Sequence, residues 1–435
     1  MKDFVALNWQ SFRGLTRSPF GQKLALLVGG TALAQLLSIG VLPLVTRLYS
    51  PREFGIIAIF LSFFGYWASN LSLRCDQAIV IAVDDSESHI IQRIATMNVV
   101  IMSIAGALIL CLMQRSNLLD YGILPDWAPV ASAFIFLFFG LFSVYRSWAL
   151  RAGFIRQISQ ASLYRSSVNA LSRVALGLAG WGVLGLFVAE LLSAIASVPH
   201  LYQLTANHYA NNKPVHSDAL IFVETAKKYS KFALIDAPST WVDALAFSLP
   251  VPIVAFLYGP ESAGFFALAR TLVAAPNSQI GAAVADLFQA ELAKAIHLGD
   301  FLHARRLFRK LLKKLILIGL LPLLLFEILA PWLMPVVFGP KWVEAGKIVT
   351  VISPWFYVAL VISPLSRATS VLQTQEVKLI YDLLSLALII AISFYAKVAH
   401  LNLLSFLVLL SAFKILEYVV FGFLLERLMA KYLSA

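Results

Sequence analysis

Twelve mostly apolar segments follow one another along the chain, separated by short polar connections. A helix needs about 20 predominantly apolar residues to cross the hydrocarbon core of a bilayer. The pattern therefore predicts an all-α polytopic membrane protein with about 12 transmembrane helices. The predicted spans are 24–46, 56–80, 93–113, 127–149, 164–181, 183–203, 232–257, 264–290, 312–336, 345–371, 378–397 and 403–426.

Composition agrees with this pattern and changes how the net charge is interpreted. Of the 435 residues, 60% are hydrophobic and 13% are charged, whereas soluble domains have roughly 45–50% apolar and about 25% charged residues. The net charge of +11 fits basic cytoplasmic loops better than a nucleic-acid surface, because no loop combines a long basic run with aromatic residues.

The distribution of Lys and Arg predicts the orientation. The N-terminus and the connections after spans 2, 4, 6, 8 and 10 hold most of them, and the connection after span 8 together with the first residues of span 9 holds seven. The positive-inside rule then places both termini in the cytoplasm. The expected organisation is an interfacial N-terminus (1–23), an N-lobe (24–203), a cytoplasmic linker (204–231), a C-lobe (232–426) and a cytoplasmic tail (427–435).

Two segments repeat within the chain. Residues 42–55 (LPLVTRLYSPREFG) and 251–264 (VPIVAFLYGPESAG) align without a gap at an offset of 209. Each joins the first and second spans of its half, and they share Pro51/Pro260 and Gly55/Gly264. Two six-helix halves of equal topology predict a pseudo-two-fold axis along the membrane normal, a common transporter plan.

Several stretches resemble one family. The segment LVTRLYSPREFGIIAIF with NLSLRCDQAIVIA at 70–82, and then KKYSKFALIDAP at 227–238, ALARTLVAAP at 267–276 and VFGPKWVEAG at 337–346, are similar to bacterial polysaccharide and lipopolysaccharide (O-antigen) exporters. These are the Wzx-type flippases of the multidrug/oligosaccharidyl-lipid/polysaccharide (MOP) superfamily. The resemblance extends in order over nearly the whole chain.

The resemblance implies a MATE/MurJ-like fold of two six-helix lobes around a cavity that opens alternately to each side. It also implies a substrate, a polyprenyl diphosphate carrying an oligosaccharide, that moves from the cytoplasmic to the periplasmic leaflet. The glycan cannot be carried over from the family. Lipid-linked oligosaccharide and membrane lipids are thus the expected partners, with H⁺ or Na⁺ as a candidate coupling ion.

Basic residues in or beside the spans are the candidates for substrate binding. Ionisable groups in a membrane usually face a cavity or a partner, and guanidinium groups bind phosphate oxygens in pairs. Arg74 and Arg270 fit a diphosphate headgroup best, with a structural ion pair as the alternative. Arg47 and Arg367 lie nearer span ends, where long side chains reach the interface. Arg146, like Arg173, flanks the connection after span 4 and fits a role in topology or anionic-lipid contact.

Five carboxylates are candidates for ion coupling, since a buried carboxylate can carry a proton. They are Asp76, Glu190, Asp236, Asp243 and Asp286. Simple pairs within one helix are the expected arrangement for Lys378 with Asp382 and for Lys414 with Glu417.

No enzymatic activity, cofactor or metal is expected. The sequence contains no G-x-x-x-x-G-K-[ST], G-x-G-x-x-G or H-E-x-x-H pattern. The polysaccharide polymerases and ligases would need a long extracytoplasmic loop, and the predicted outside loops are short. A multidrug or cation antiporter of the same superfamily remains the alternative, although such a protein should have an acid-dominated cavity.

Overall fold

The protein is described by a computed structural model over residues 19–211, 219–277, 281–372 and 374–432. These residues form α-helices joined by short turns, and no strand occurs among them. Most of the predicted interfacial segment 1–23 lies outside the described residues. In chain order the helices are α1 (Pro19–Leu48), α2 (Pro51–Ala68), α3 (Cys75–Ile81), α4 (Asp85–Arg115), α5 (Ala128–Arg151), α6 (Ile155–Leu178), α7 (Gly182–Ala196), α8 (Val198–Asn211), α9 (Ala219–Lys228), α10 (Ala237–Ser248), α11 (Pro250–Pro276), α12 (Ala282–His297), α13 (Phe301–Phe338), α14 (Val343–Ile362), α15 (Arg367–Val371), α16 (Gln375–Val398) and α17 (Leu403–Tyr432).

The prediction of an all-α polytopic membrane protein is confirmed. Among the described residues the predicted spans are largely helical, but the second (56–80) is divided between α2 and α3. In the described ranges, eight helices are long and apolar enough to cross a membrane. One of them, Phe232–Pro276, covers the seventh predicted span and part of the eighth. Gly259 separates those two spans, because its backbone (φ 84°, ψ 167°) is not helical and favours glycine.

Polar side chains fix where several helices begin. At α2, Ser50 and Glu53 form a reciprocal capping box, in which the Ser50 amide donates to Glu53 Oε2 (2.7 Å) and the Glu53 amide donates to Ser50 Oγ (3.3 Å). Asp84 caps α4 by accepting from the Glu87 amide (2.7 Å), and Asp300 caps α13 through the His303 amide (2.9 Å). These caps satisfy amide groups that have no partner inside the helix.

The chain divides into two compact units. Within the described residues, unit 1 contains 19–48, 66–116, 124–211 and 219–241, and unit 2 contains 49–65, 117–123, 242–277, 281–372 and 374–432. The division does not follow the polar linker 204–231, so the predicted lobe boundaries stay predictions.

In unit 1, α1 packs along α6, α6 along α7, and α4 along α5, with α3 against both α4 and α5. Small residues allow close packing, as at Gly106, where a Cβ would lie 2.2 Å from the Trp67 indole nitrogen. That nitrogen donates to the Met102 carbonyl (2.8 Å). At the end of α9, Lys228 binds Glu87, and this hydrogen bond raises the pKa of the Lys228 ammonium above its ordinary value.

Unit 2 joins the two repeat segments in a reciprocal contact. A Cβ on Gly55 would lie 1.7 Å from the Pro260 carbonyl oxygen, and a Cβ on Gly264 would lie 2.0 Å from the Pro51 carbonyl oxygen. The backbones of α2 and α11 can approach this closely only because both positions are glycine. The equivalence of the two contacts supports the predicted repeat.

One aromatic residue covers this glycine crossing. Trp342 is fully buried and packs edge-on against Phe54 (centroids 5.4 Å apart) and Phe265 (5.8 Å). The two phenylalanines each neighbour one of the crossing glycines in sequence. Tyr121, in the 3₁₀ turn Leu118–Ile123, packs edge-on against Phe63 of α2 (6.2 Å). The connections that follow the first, third, seventh and ninth predicted spans therefore all lie in unit 2.

Candidate functional site

The second predicted span is broken just before two candidate residues. Helix α2 ends at Ala68, and the chain turns through Leu73 (φ 51°) and Arg74 (φ 62°) before α3 begins. A left-handed backbone is unfavourable for residues other than glycine, and such strain is often found at functional sites. The break places Arg74 at the start of α3, and its Nε is buried without a hydrogen-bond acceptor among the described residues.

Asp76, two residues further on, is held by hydroxyl groups. Its Oδ1 accepts from Ser72 (2.6 Å) and its Oδ2 from Ser143 of α5 (3.0 Å). Arg146, one turn along α5 from Ser143, interacts electrostatically with the carboxylate, but no ion pair within 4.0 Å forms in the described part of the chain. The structure thus brings Asp76 and Arg146 together and leaves Arg74 beside them without an acidic partner.

A second polar cluster in unit 1 centres on Glu190 of α7. Its carboxylate accepts hydrogen bonds from Asn169 (3.0 Å) and from Arg173, with which it forms an ion pair. Arg165 interacts with it electrostatically and lies over the Phe139 ring, 4.5 Å from the centroid. Arg173 is therefore paired inside the unit, whereas its place beside a loop suggested contact with lipid headgroups.

Sequence reasoning missed Arg165 and Asn169 altogether. The spacing of Arg165, Asn169 and Arg173 is a signal that was available, because residues four apart share one helix face. The high polarity of this helix also explains why α6 is not among the eight candidate spans.

In unit 2, Arg270 of α11 has partners but no carboxylate. Its guanidinium lies over the Phe247 ring, 4.1 Å from the centroid, and donates to the Phe247 carbonyl. No acid lies within ion-pair distance of Arg270 in the described residues. The expected alternative of an ion pair therefore has no support here.

Lys378 of α16 lies between two carboxylates. Its Nζ is 2.6 Å from Asp382, the expected partner within the helix, and 3.2 Å from Asp243 of α10. Further along, Lys414 of α17 lies 3.1 Å from Glu417 and donates to Ser385 of α16. The two predicted pairs within one helix are confirmed, and Asp243 is an additional member of the first.

Replacing Lys378 with methionine is expected to lower the stability of the protein by about 2 kcal/mol. The change leaves Asp382, which is 8% exposed, next to Asp243 without a counter-charge. Adding Asp382→Asn should recover much of the loss in a double-mutant cycle of thermal midpoints. Lys397→Met on the same helix, which removes a Lys stacked on Phe256, is the control and should cost less than about 1 kcal/mol. Equal losses at both positions would contradict the role of the carboxylates.

One candidate arginine for substrate binding is paired with one candidate carboxylate for ion coupling. Arg367, at the start of α15, lies 3.9 Å from Asp286 of α12, and both side chains are largely exposed (49% and 77%). Arg47, in the last turn of α1, and Asp236, at the end of the π turn Phe232–Asp236, are exposed and are not part of these clusters.

Asp286→Asn is expected to change stability by less than about 1 kcal/mol, because exposed ion pairs contribute little. A functional defect in this variant would then not be explained by a loss of folding. Glu344→Gln breaks another exposed pair, with Lys347, and provides the matched control for thermal midpoints. A decrease in stability above about 2 kcal/mol would show that the Arg367 pair is structural.

The described residues include no group of three or more His, Cys, Asp or Glu side chains that could hold a metal ion. Each cluster combines cations with carboxylates or hydroxyl groups. Such sites can bind anions or exchange protons.

The fold is that of MOP superfamily transporters. A multidrug resistance MATE family transporter of this superfamily, in an inward-facing conformation, is similar with a TM-score of 0.70 and 14% identity, covering 92% of this chain and 95% of that chain. A MATE protein in complex with MaL6 has a TM-score of 0.59 and 14% identity, with 95% of each chain covered. A MOP superfamily transporter from Pyrococcus furiosus has a TM-score of 0.54 and 15% identity, with 95% of each chain covered.

Residues 44–347, which are more than half of the chain, match the family described as polysaccharide biosynthesis protein. The protein belongs to this family. A comparison with curated proteins finds no match. The family is described by its role in polysaccharide biosynthesis, and the apolar helices and the shared fold define a multi-pass membrane protein with a MATE-like fold.

Proposed function

We propose that the protein is a flippase that translocates polyprenyl-diphosphate-linked oligosaccharide from the cytoplasmic to the periplasmic leaflet by alternating access. Membership of a polysaccharide biosynthesis family supports a glycan-bearing substrate. The observation that carries the proposal is the Arg74 guanidinium, whose buried Nε has no acceptor among the described residues. A buried polar group normally has a partner, and phosphate oxygens are strong acceptors for guanidinium groups.

The neighbouring charges fit an anionic headgroup. Arg146 interacts electrostatically with Asp76, two residues after Arg74, without a close ion pair, and Arg270 in unit 2 has a carbonyl and a ring as its partners. A diphosphate that crosses a low-dielectric region requires such counter-charge. Arg47 and Arg367, which are exposed at helix ends, are better placed for the membrane interface.

The candidate carboxylates for ion coupling differ in whether a basic side chain lies within ion-pair distance. Glu190, Asp243 and Asp286 each have an ion-pair partner. Asp76 has hydroxyl partners and only a more distant cation, Arg146. If transport uses H⁺ or Na⁺, Asp76 is therefore the first carboxylate to examine.

Orientation is part of the proposal. The connections of unit 2 near Trp342 have few basic residues, whereas the first 14 residues of α13 carry six and α9 ends with two. This distribution favours the periplasmic side for the Trp342 region and the cytoplasm for both termini. The bacterial inner membrane is the proposed location, because such lipid-linked glycans would cross there.

The direct test is translocation in proteoliposomes, with a fluorescent polyprenyl-diphosphate oligosaccharide whose outer-leaflet copies can be modified chemically. Protein-dependent loss of protection of the inner copies would support the flippase. Protein-free liposomes treated in the same way give the background rate.

A second candidate is a multidrug or cation antiporter, favoured by the likeness to MATE transporters and by the exposed, unpaired Asp236 in the described chain. For the archaeal MOP relative, a reversed polarity of the binding pocket suggests a different function, so polarity divides members of this fold. Gradient-driven efflux of a small organic cation, without flipping of the lipid, would favour the antiporter.

A further inference from the structure

An apolar groove lies on unit 2 between α13, α14 and α17. Its volume is about 340 Å³, within the range of pockets that hold one small ligand. Aliphatic and aromatic side chains form most of its lining, including Phe308, Ile316, Val361 and Val419. Tyr357 contributes its ring, while its hydroxyl donates to the Ile316 carbonyl (3.2 Å). The Tyr357 hydroxyl is therefore already hydrogen-bonded, and the residue presents its ring to the groove.

The groove is accessible from outside the unit. Val419 is 38% exposed and Phe423 is 65% exposed, and both line it. An exposed apolar surface of this kind suits a lipid chain that enters from the side. Gly422 lies on the floor, where a Cβ would meet the Ile362 side chain at 2.8 Å, so a larger residue would narrow the groove.

One end of the groove is charged. Glu426, the only ionised residue of its lining, accepts two hydrogen bonds from the Arg309 guanidinium (3.1 and 2.9 Å). Arg305 lies one turn before Arg309 on the same face of α13 and is exposed without a partner in the described residues. Because Arg309 neutralises Glu426, Arg305 leaves this end with a net positive charge that is complementary to a phosphate.

We infer that this groove binds the polyprenyl chain of a polyprenyl diphosphate, with the diphosphate at Arg305. The inference rests on the proposed function and assigns the chain of the substrate lipid to unit 2. A groove for the chain would keep the lipid anchored to the protein while its polar headgroup moves. The surrounding bilayer is as apolar as the groove, so moving the chain from lipid into the groove gains little transfer energy. The charged end of the groove therefore supplies the selectivity for a polyprenyl diphosphate over other lipids.

Photo-crosslinking tests the inference directly. The full-length protein in nanodiscs of phosphatidylcholine is labelled with a polyprenyl diphosphate that carries a diazirine in its chain, or with a diazirine phosphatidylglycerol. We expect the polyprenyl probe to label peptides of α13 and α17. Unlabelled polyprenyl diphosphate should reduce this labelling at least fivefold, and an equal amount of phosphatidylglycerol should reduce it less than twofold. Equal labelling by both probes, without competition by polyprenyl diphosphate, would mean that bilayer lipid fills the groove and would overturn the inference.

Two pairs of variants locate the chain and the headgroup. Val419→Trp fills the groove and should lower labelling at least fivefold, whereas Val420→Trp, at an exposed position outside the lining, should leave it within twofold. Arg305→Gln should weaken competition by polyprenyl diphosphate about fivefold but not competition by uncharged polyprenol. Arg306→Gln, about 100° round the helix, should change neither. Labelling that is the same in all four variants would contradict the inference, and the competition with wild-type protein decides it if a variant does not fold.

Failure of the groove and failure of the flippase give different results. If Val419→Trp translocates the full glycolipid at the wild-type rate and no chain labelling is found, the groove is wrong and the flippase stands. If the groove is labelled specifically but the wild-type protein moves no lipid in proteoliposomes, the chain site stands and the proposed transport does not.

Discussion

Alanine at Gly264 is expected to lower the stability of the protein by about 3 kcal/mol or more. The added Cβ would lie 2.0 Å from the Pro51 carbonyl oxygen and close to the Gly55 amide nitrogen (3.0 Å). Both neighbours are backbone atoms, so no side chain can rotate away. Helices α2 and α11 would have to separate, and Trp342 would lose its packing against Phe54 and Phe265.

The reciprocal position provides a second, independent form of the same test. Gly55→Ala places its Cβ 1.7 Å from the Pro260 carbonyl oxygen and should be at least as damaging as Gly264→Ala. Because both substitutions separate the same pair of helices, the double variant should cost clearly less than the sum of the two single losses.

The thermal midpoint in detergent, followed by fluorescence-detected size-exclusion chromatography, measures the loss. A decrease of roughly 5–10 °C is expected. Gly40→Ala is the matched control, since Gly40 lies in α1 with no atom within 4 Å of a Cβ, and it should leave the midpoint unchanged. Normal stability of Gly264→Ala would show that the crossing is looser than described here.

Sequence periodicity predicted the helices well but could not predict how they meet. Apolar runs of about 20 residues define spans without tertiary information, and the repeat identified Pro51/Pro260 and Gly55/Gly264 as equivalent. That the two glycines contact each other's repeat segment depends on packing in three dimensions. The likeness to MATE transporters supports the overall arrangement of helices, although no residue contact could be carried over at 14% identity.

The break before α3 has no clear sequence signal. The stretch SNLSLRC contains neither Gly nor Pro, so its composition reads as a continuous span. Side-chain and backbone hydrogen bonds stabilise the turn instead, such as the Leu73 amide to the Asn70 carbonyl (2.9 Å) and Asn98 to the Ser72 carbonyl (3.3 Å). Propensity alone cannot anticipate such local competition with the helix.

The charged residues illustrate the same limit. Spacing within one helix predicted the pairs Lys378–Asp382 and Lys414–Glu417, because residues three or four apart are neighbours. Spacing could not predict that Asp243 also pairs with Lys378 or that Glu190 pairs with Arg173, because these partners lie on different helices. The separation of paired from unpaired charges therefore requires the structure, which shows the buried Arg74 Nε without an acceptor among the described residues.

Removing the Arg74 guanidinium is expected to lower the translocation rate at least tenfold. A hydrogen bond to a charged group contributes about 1.5–3 kcal/mol, and about 1.4 kcal/mol corresponds to a factor of ten. Arg74→Ala removes all donors, whereas Arg74→Lys keeps the charge without the planar fork and should retain part of the rate. Arg115→Ala, an exposed arginine at the end of α4, is the control and should transport normally.

Backbone strain at this position separates function from folding. Arg74 has φ 62°, which alanine tolerates no better than arginine, whereas glycine adopts it readily. Arg74→Gly should therefore raise the thermal stability, by about 1 kcal/mol, and still lose translocation in proteoliposomes. A glycine variant that is more stable but inactive would assign Arg74 to substrate binding, because a structural arginine would lose stability when replaced. Wild-type translocation by both Arg74→Ala and Arg74→Gly would remove the diphosphate role from this residue.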